Sequence, residues 1–320
     1  MLARAPRPAC FLLCAGLLVA CGSERPAGGS PQVRDAGTSA RDAGDAAERD
    51  ASTNGADGGV PRDGGVTVTA TCDVGATTIR CPFSTTEYRV GVTTLTDRRV
   101  HYALPNAAPP PDGYPVVLFF QGSFFSSDRI WEAEAGDTFG AFELARTLAD
   151  LLDRGYAIVA PEAHARGNTF WDTNVPPFSL AWSTSSDHRL MLRIFEGIEA
   201  GELGPLDPAR MFATGISSGG YMTSRMAVSY GGRFTALAVH SASYATCSGT
   251  LCSVPELPSD HPPTLFLHGT EDRVTPIDEM EEYADALDAM GVDVRVVTAP
   301  AGHEWIAPAV PAVADWFDAY

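Results

Sequence analysis

The sequence predicts an α/β fold, a mostly parallel central sheet with helices on both faces. Three observations carry this expectation. Short apolar runs alternate with segments of helical period over most of the chain. Residues 114–120 are apolar at every position, as suits a strand buried on both faces. Finally, the stretch from Arg210 to Met222 runs from an apolar strand through Gly215-Ile216-Ser217-Ser218-Gly219 into a helical pattern of Met222, Met226, Ala227 and Tyr230.

The chain opens with arginines at positions 4 and 7, an apolar run over 9–20, and then Cys21-Gly22-Ser23. That is the make-up of an export signal, too short to span a bilayer. Leu18-Val19-Ala20-Cys21 resembles the lipobox of bacterial lipoproteins, which implies that Cys21 is lipidated and that an outer-membrane or cell-surface location follows. The alternative is ordinary cleavage near Ala20. Residues 21–65 hold almost no large apolar side chain and repeat Arg-Asp-Ala-Gly and Asp-Gly-Gly, so they read as a low-complexity tether unable to bury a core. The expected organisation is a signal at 1–20, a tether at 21–65 and one catalytic domain at 66–320.

Within that domain, β-branched residues in short alternating runs place antiparallel strands at 66–71, 88–94 and 99–104. The buried strand at 114–120 follows. After it come a helix at about 140–153, a strand at 156–161, a helix near 187–200, the strand before Ser217 and the helix after it. Strands at 236–240 and 263–268, a helix at 277–290, a strand at 292–298 and a last helix at 308–319 complete the alternation.

Composition excludes several function classes. The formal charge is −18, from 40 acids against 22 bases, and lysine is absent. Without lysine there is no Schiff-base chemistry, no phosphate-binding P-loop and no basic stripe for nucleic acid. With the signal removed and Cys21 spent on lipid, Cys72, Cys81, Cys247 and Cys252 remain. An even number in an exported chain suggests two disulfides, and the short separations favour Cys72–Cys81 and Cys247–Cys252 among three connectivities. A four-cysteine metal site is the weaker reading, because neither pair has the two-residue gap common in zinc ligands.

Ser217 is the candidate nucleophile. The sharp turn strains its backbone, and Gly215 and Gly219 leave room where a Cβ would crowd the opposite arm. The Ser218 N–H opens a helix and is one candidate oxyanion donor. Asp272 follows the strand at 263–268, and His303 follows the strand at 292–298, so both sit past carboxyl ends of strands, where open α/β sheets keep their sites. His303 is the candidate general base and Asp272 its orienting acid, with Glu271 as the alternative acid and His268 given a structural role.

The order Ser217, Asp272, His303, each after a strand, resembles the α/β-hydrolase family across roughly 99–320. More narrowly, Gly215-Ile216-Ser217-Ser218-Gly219-Gly220-Tyr221-Met222 and Ser224-Arg225-Met226-Ala227 look like extracellular polyhydroxyalkanoate depolymerases. Feruloyl and acetylxylan esterases are broader relatives. The resemblance implies a serine esterase working through an acyl-enzyme with no metal or organic cofactor. It also implies a second oxyanion donor in the loop after residue 120. There Gln121-Gly122-Ser123 stands where relatives often have His-Gly, and Ser123 is the candidate. The sequence stops after the His303 helix, which favours the single-domain, medium-chain kind.

Phe124, Phe125 and Trp131 follow the strand at 114–120, while Trp171 and Trp182 lie in a long irregular segment after 161. Both segments leave carboxyl ends of strands, so these aromatics are expected to wall an apolar cleft, with loop core as the bland alternative. An ester or polyester is thus the expected partner, a membrane being touched only through the lipid. The rivals are a small-ester esterase, a peptidase of the prolyl-oligopeptidase type and a binding protein on an inactive hydrolase scaffold.

Overall fold

The computed structural model describes residues 69–91, 97–164, 170–247 and 254–320. The expected signal, tether, Cys21 and Cys252 therefore lie outside the described residues. In chain order the elements are β1 Thr69–Ala70, β2 Asp73–Val74, β3 Thr78–Arg80, β4 Ser84–Arg89, β5 Asp97–Pro105, β6 Tyr114–Phe120 and β7 Glu132–Glu134. Then come α1 Ala141–Asp153, β8 Ala157–Pro161, α2 Ser186–Glu199, β9 Leu206–Ile216, α3 Ser218–Ser229 and β10 Ala236–His240. The last are β11 Thr264–Gly269, α4 Ile277–Ala289, β12 Val294–Ala299 and α5 Ala309–Asp318.

The main sheet has the order β1-β5-β8-β6-β9-β10-β11-β12, with β4 paired to β5. From β8 to β12 every neighbouring pair is parallel, whereas β5 is antiparallel to both β4 and β8. Two expected strands differ. The first is the short β1, and it runs parallel to β5 rather than antiparallel. The second is β4, which starts earlier than the expected 88–94, because register with β5 pairs Ser84 with Tyr102 and Arg89 with Asp97. A small sheet, β2-β3-β7, was not foreseen; its strands have only two or three residues, too few for a periodic signal.

Alternation explains the layers. Along β6, Val117 and Phe119 face α1 and α5, where they meet Leu148, Leu152, Val313 and Phe317. Val116, Leu118 and Phe120 face α2 and α3, against Leu190, Ile194, Met222 and Met226. Both faces are covered, which is why the strand carries no polar side chain. Toward the far edge, α4 packs Met280, Tyr283 and Leu287 on Val239 and Phe266.

Cys72 precedes β2 and Cys81 follows β3. The pairing of Asp73 with Arg80 brings these flanking cysteines together, with Cα atoms 4.2 Å apart. The topology also sets the site: β9, β10, β11 and β12 are consecutive neighbours, all parallel, so their carboxyl ends form one rim.

Candidate active site

At the end of β9 a single residue, Ser217, makes the turn into α3, with φ 58° and ψ −123°. A non-glycine residue in this region costs on the order of 1–3 kcal/mol and persists only where its surroundings hold it. They do so here: the Ser217 N–H donates to His240 O at 3.0 Å, and Ser217 O accepts the Tyr221 N–H at 2.9 Å. The flanking glycines are forced by close approach. A Cβ on Gly215 would lie 2.5 Å from Phe120 O, one on Gly219 2.5 Å from Gln121 O, and one on Gly220 2.5 Å from His240 O. Ser217 is half-buried, and Ser218, first in α3, has an N–H with no acceptor inside the helix.

Beyond β6 the chain passes beside the serine. A Cβ on Gly122 would stand 3.8 Å from Ser217 Cβ. Gln121 fixes this loop. Its Nε2–H donates to Phe125 O, its Oε1 accepts the Ala163 N–H at 3.3 Å, and its backbone oxygen accepts the Trp171 Nε1–H at 3.0 Å. Ser123 follows, half-buried.

Asp272 lies in the turn after β11. Its Oδ1 accepts the N–H groups of Val274 and Thr275 at 2.8 and 2.9 Å, and its Oδ2 is 2.7 Å from His303 Nδ1. A carboxylate only accepts, so Nδ1 carries the proton, and in the neutral ring Nε2 keeps its lone pair. Burial works to raise the Asp272 pKa. The hydrogen bonds from His303, Thr275 and Val274 outweigh it and hold the carboxyl below its ordinary range. Glu271, by contrast, is exposed. The acid turn is brought against the histidine loop because Gly269 lacks a side chain; a Cβ there would overlap the carbonyls of Ala301 and Gly302. His268 braces the same turn: its Nε2–H donates to Thr275 O at 2.9 Å and lies 3.5 Å from Asp272 Oδ2.

One supporting residue escaped the sequence reading. His240 ends β10, the strand between β9 and β11, and is fully buried. Its carbonyl holds the Ser217 N–H, and its Nε2 accepts the Ile306 N–H at 3.0 Å. Its ring stacks on Trp305 with centroids 4.6 Å apart. His240 thus ties the serine turn to the segment that carries His303. Burial pushes its pKa well down, so it is neutral, as an acceptor must be. The available signal was its place at a strand end, the same place as His268.

The aromatic side chains divide. Trp171 is fully buried, its ring edge against Phe120, and Trp182 is nearly so, its Nε1–H donating to Tyr230 Oη at 3.0 Å. Both are loop core, and Trp171 props Gln121 from behind. Trp131 is also buried, stacked on Phe83. Phe125 is half-buried, and Phe124 is 78% exposed. Phe125 and Trp131 line a cavity of about 450 Å³ beside the loop after β6, into which none of Ser217, Asp272 and His303 projects. Segment 171–185 is anchored by Arg225 of α3. That buried guanidinium has no carboxylate partner among the described residues and donates to Thr173 Oγ1 and to the carbonyls of Thr173, Ser179 and Ala245.

Among the described residues, His164, Asp172 and Asp187 offer ligand atoms within 4.8 Å of one another. Asp187 Oδ1, however, accepts from the Arg98 guanidinium at 2.9 Å and its Oδ2 from the Asp172 N–H at 2.7 Å. The group thus belongs to an ion-pair network around the buried Arg98.

Residues 135–315 match the dienelactone hydrolase family. The chain belongs to this family. Over 244 residues it is 45% identical to a poly(3-hydroxyoctanoate) depolymerase of Pseudomonas fluorescens, covering 76% of this chain and 86% of that one. Among solved structures, S-formylglutathione hydrolase FrmB of Staphylococcus aureus is similar at a TM-score of 0.52 and 14% identity, over 74% of this chain and 96% of the other. An acylaminoacyl peptidase of Pyrococcus horikoshii is similar at a TM-score of 0.50 and 17% identity, over 73% of this chain but 40% of the other. These structures share the α/β-hydrolase fold, and this dienelactone hydrolase family member is a serine ester hydrolase.

Two predictions follow from the geometry. Because the Asp272 pKa is depressed on folding, its contribution to stability is present above the unfolded value of about 4 and is lost as pH falls through the folded value. Urea titrations should find Asp272→Asn less stable than wild type at pH 7, with the gap closing below about pH 4. His240→Phe keeps the stack but strands the Ile306 N–H, at a cost of about 1–3 kcal/mol. Misplacing the histidine loop should lower kcat about 10–100-fold with KM little changed. His240→Gln, which retains an acceptor, should recover part of the loss. Equal kcat in all three proteins would remove His240 from the positioning of the site.

Proposed function

We propose that this protein is an exported serine hydrolase that cleaves the ester bonds of medium-chain polyhydroxyalkanoates of the poly(3-hydroxyoctanoate) type. The observation that carries the reading is the Asp272–His303 hydrogen bond at 2.7 Å on the rim that also bears the strained Ser217, in a chain 45% identical to a depolymerase of that polymer. In the proposed reaction His303 Nε2 takes the Ser217 Oγ proton as the oxygen attacks the ester carbonyl. The oxyanion is met by the Ser218 N–H and by a donor at Ser123. As the tetrahedral intermediate collapses, His303 returns the proton to the leaving hydroxyl, and an acyl-enzyme remains on Ser217. A water deprotonated by His303 then releases the acid and restores the serine.

A second reading, a small-ester or feruloyl-type esterase, is favoured by the burial of Trp171 and Trp182, since both are committed to packing. One kinetic series separates the two. Each methylene buried beside the serine contributes about 0.8 kcal/mol, so kcat/KM should rise about fourfold per carbon along p-nitrophenyl esters until the cleft is full. A latex of the medium-chain polymer should clear. Preference for acetate esters with no clearing would select the small-ester reading. In either case Ser217→Ala and His303→Ala should each lose about 10⁴-fold in kcat, and the double variant little more.

Export also belongs to this proposal, with the signal at 1–20, the tether at 21–65, a lipid on Cys21 and a Cys72–Cys81 disulfide. Mass analysis of the membrane-extracted protein, unreduced and treated with a thiol reagent, reads both modifications. A free, alkylated Cys21 would place cleavage elsewhere, and alkylated Cys72 and Cys81 would remove the disulfide.

A further inference from the structure

Two phenylalanines are held in backbone conformations that bulky side chains rarely adopt, and both are turned to water. Phe124 has φ 65° and is 78% exposed, and Phe139 has φ 60° and is 51% exposed. A bulky residue at positive φ is an outlier that folding alone does not favour, and exposure leaves less packing gain to offset the strain. Both sit at the site. Phe124 follows the Gly122 that passes beside Ser217, and Phe139 O accepts the Trp305 N–H at 2.9 Å, two residues beyond His303. Phe125 joins them, packed edge-on against Phe139 with ring centroids 5.3 Å apart. A third loop at the site adds Val274, 69% exposed, whose N–H binds Asp272.

Large apolar side chains exposed together mark an interaction surface. The protein's formal charge of −18 opposes contact with anionic lipid or acidic polymer, but not with an uncharged apolar solid. We propose that Phe124 and Phe139 form an apolar rim that adsorbs the enzyme, active site first, onto the surface of a medium-chain polyester. The proposal rests on the polyester reading above. It goes further by assigning adsorption to the catalytic domain itself.

The test uses the full chain carrying Ser217→Ala, so that the film is not consumed, and measures depletion of protein from solution by poly(3-hydroxyoctanoate) films. Phe124→Asn and Phe139→Asn are chosen because asparagine tolerates positive φ, so the melting temperature should hold or rise. The double variant should partition onto film at least about tenfold more weakly, and 1 M NaCl should not release the parent. With Ser217 restored, the double variant should lose film clearing in the same proportion relative to its turnover of a soluble ester. Equal adsorption of the double variant and its parent would overturn the proposal, as would release by salt. Adsorption to phosphatidylcholine vesicles as strong as to film would assign the rim to lipid, and a monomer–dimer equilibrium abolished by the substitutions would assign it to a second copy of the chain. If wild type clears no film while hydrolysing soluble esters, the polyester reading fails instead, whatever the rim binds.

Discussion

The site depends on how closely β6, β9 and α3 can approach one another. The serine turn is pressed against the carbonyl oxygens of Phe120 and Gln121 on one side and of His240 on the other, with Gly215, Gly219 and Gly220 at the contacts. A methyl group at any of these places would force backbone against backbone, and backbone does not yield as a side-chain tip does. The strain at Ser217 is the counterpart of that packing. The residue keeps φ 58° because its N–H and C=O are both bonded to rigid neighbours, so the strain is spread into the sheet and the helix.

From this anchor the other groups are placed by parallel register. β9 to β12 lie side by side, so a serine, a buried histidine, an aspartate and a second histidine come from consecutive strand ends along one rim. The three loops are then cross-braced by hydrogen bonds that do no chemistry themselves, His240 to Ile306, His268 to Thr275 and Gln121 to Ala163. Preorganised positions of this kind need little rearrangement when charge develops on a substrate.

Much of the fold was legible because its strands are short apolar runs with helices between them. β10 fell at its expected bounds, 236–240, and α1, α2, α4 and α5 within a residue or so of theirs. The misses have a common cause. β4 and the β2-β3-β7 sheet are set by pairing partners rather than by their own composition, which a single sequence does not reveal. The same limit governed the loop aromatics. Trp171 and Phe124 are alike as letters after strand ends, yet one is driven inward by an indole N–H that finds Gln121 O, while the other is turned outward by a left-handed backbone. His240 went unremarked because its role is to accept a hydrogen bond from a distant residue.

The anchoring of segment 171–185 by Arg225 has a kinetic meaning. A guanidinium buried with no counter-ion among the described residues is tolerable only while the carbonyls of Thr173, Ser179 and Ala245 surround it. Swinging this segment away would strip the Thr173 and Ser179 acceptors from a full positive charge in the protein interior and leave it Ala245 O alone, a costly step. The segment packed on α3 is therefore a fixed wall and not a door, held shut by the charge beneath it.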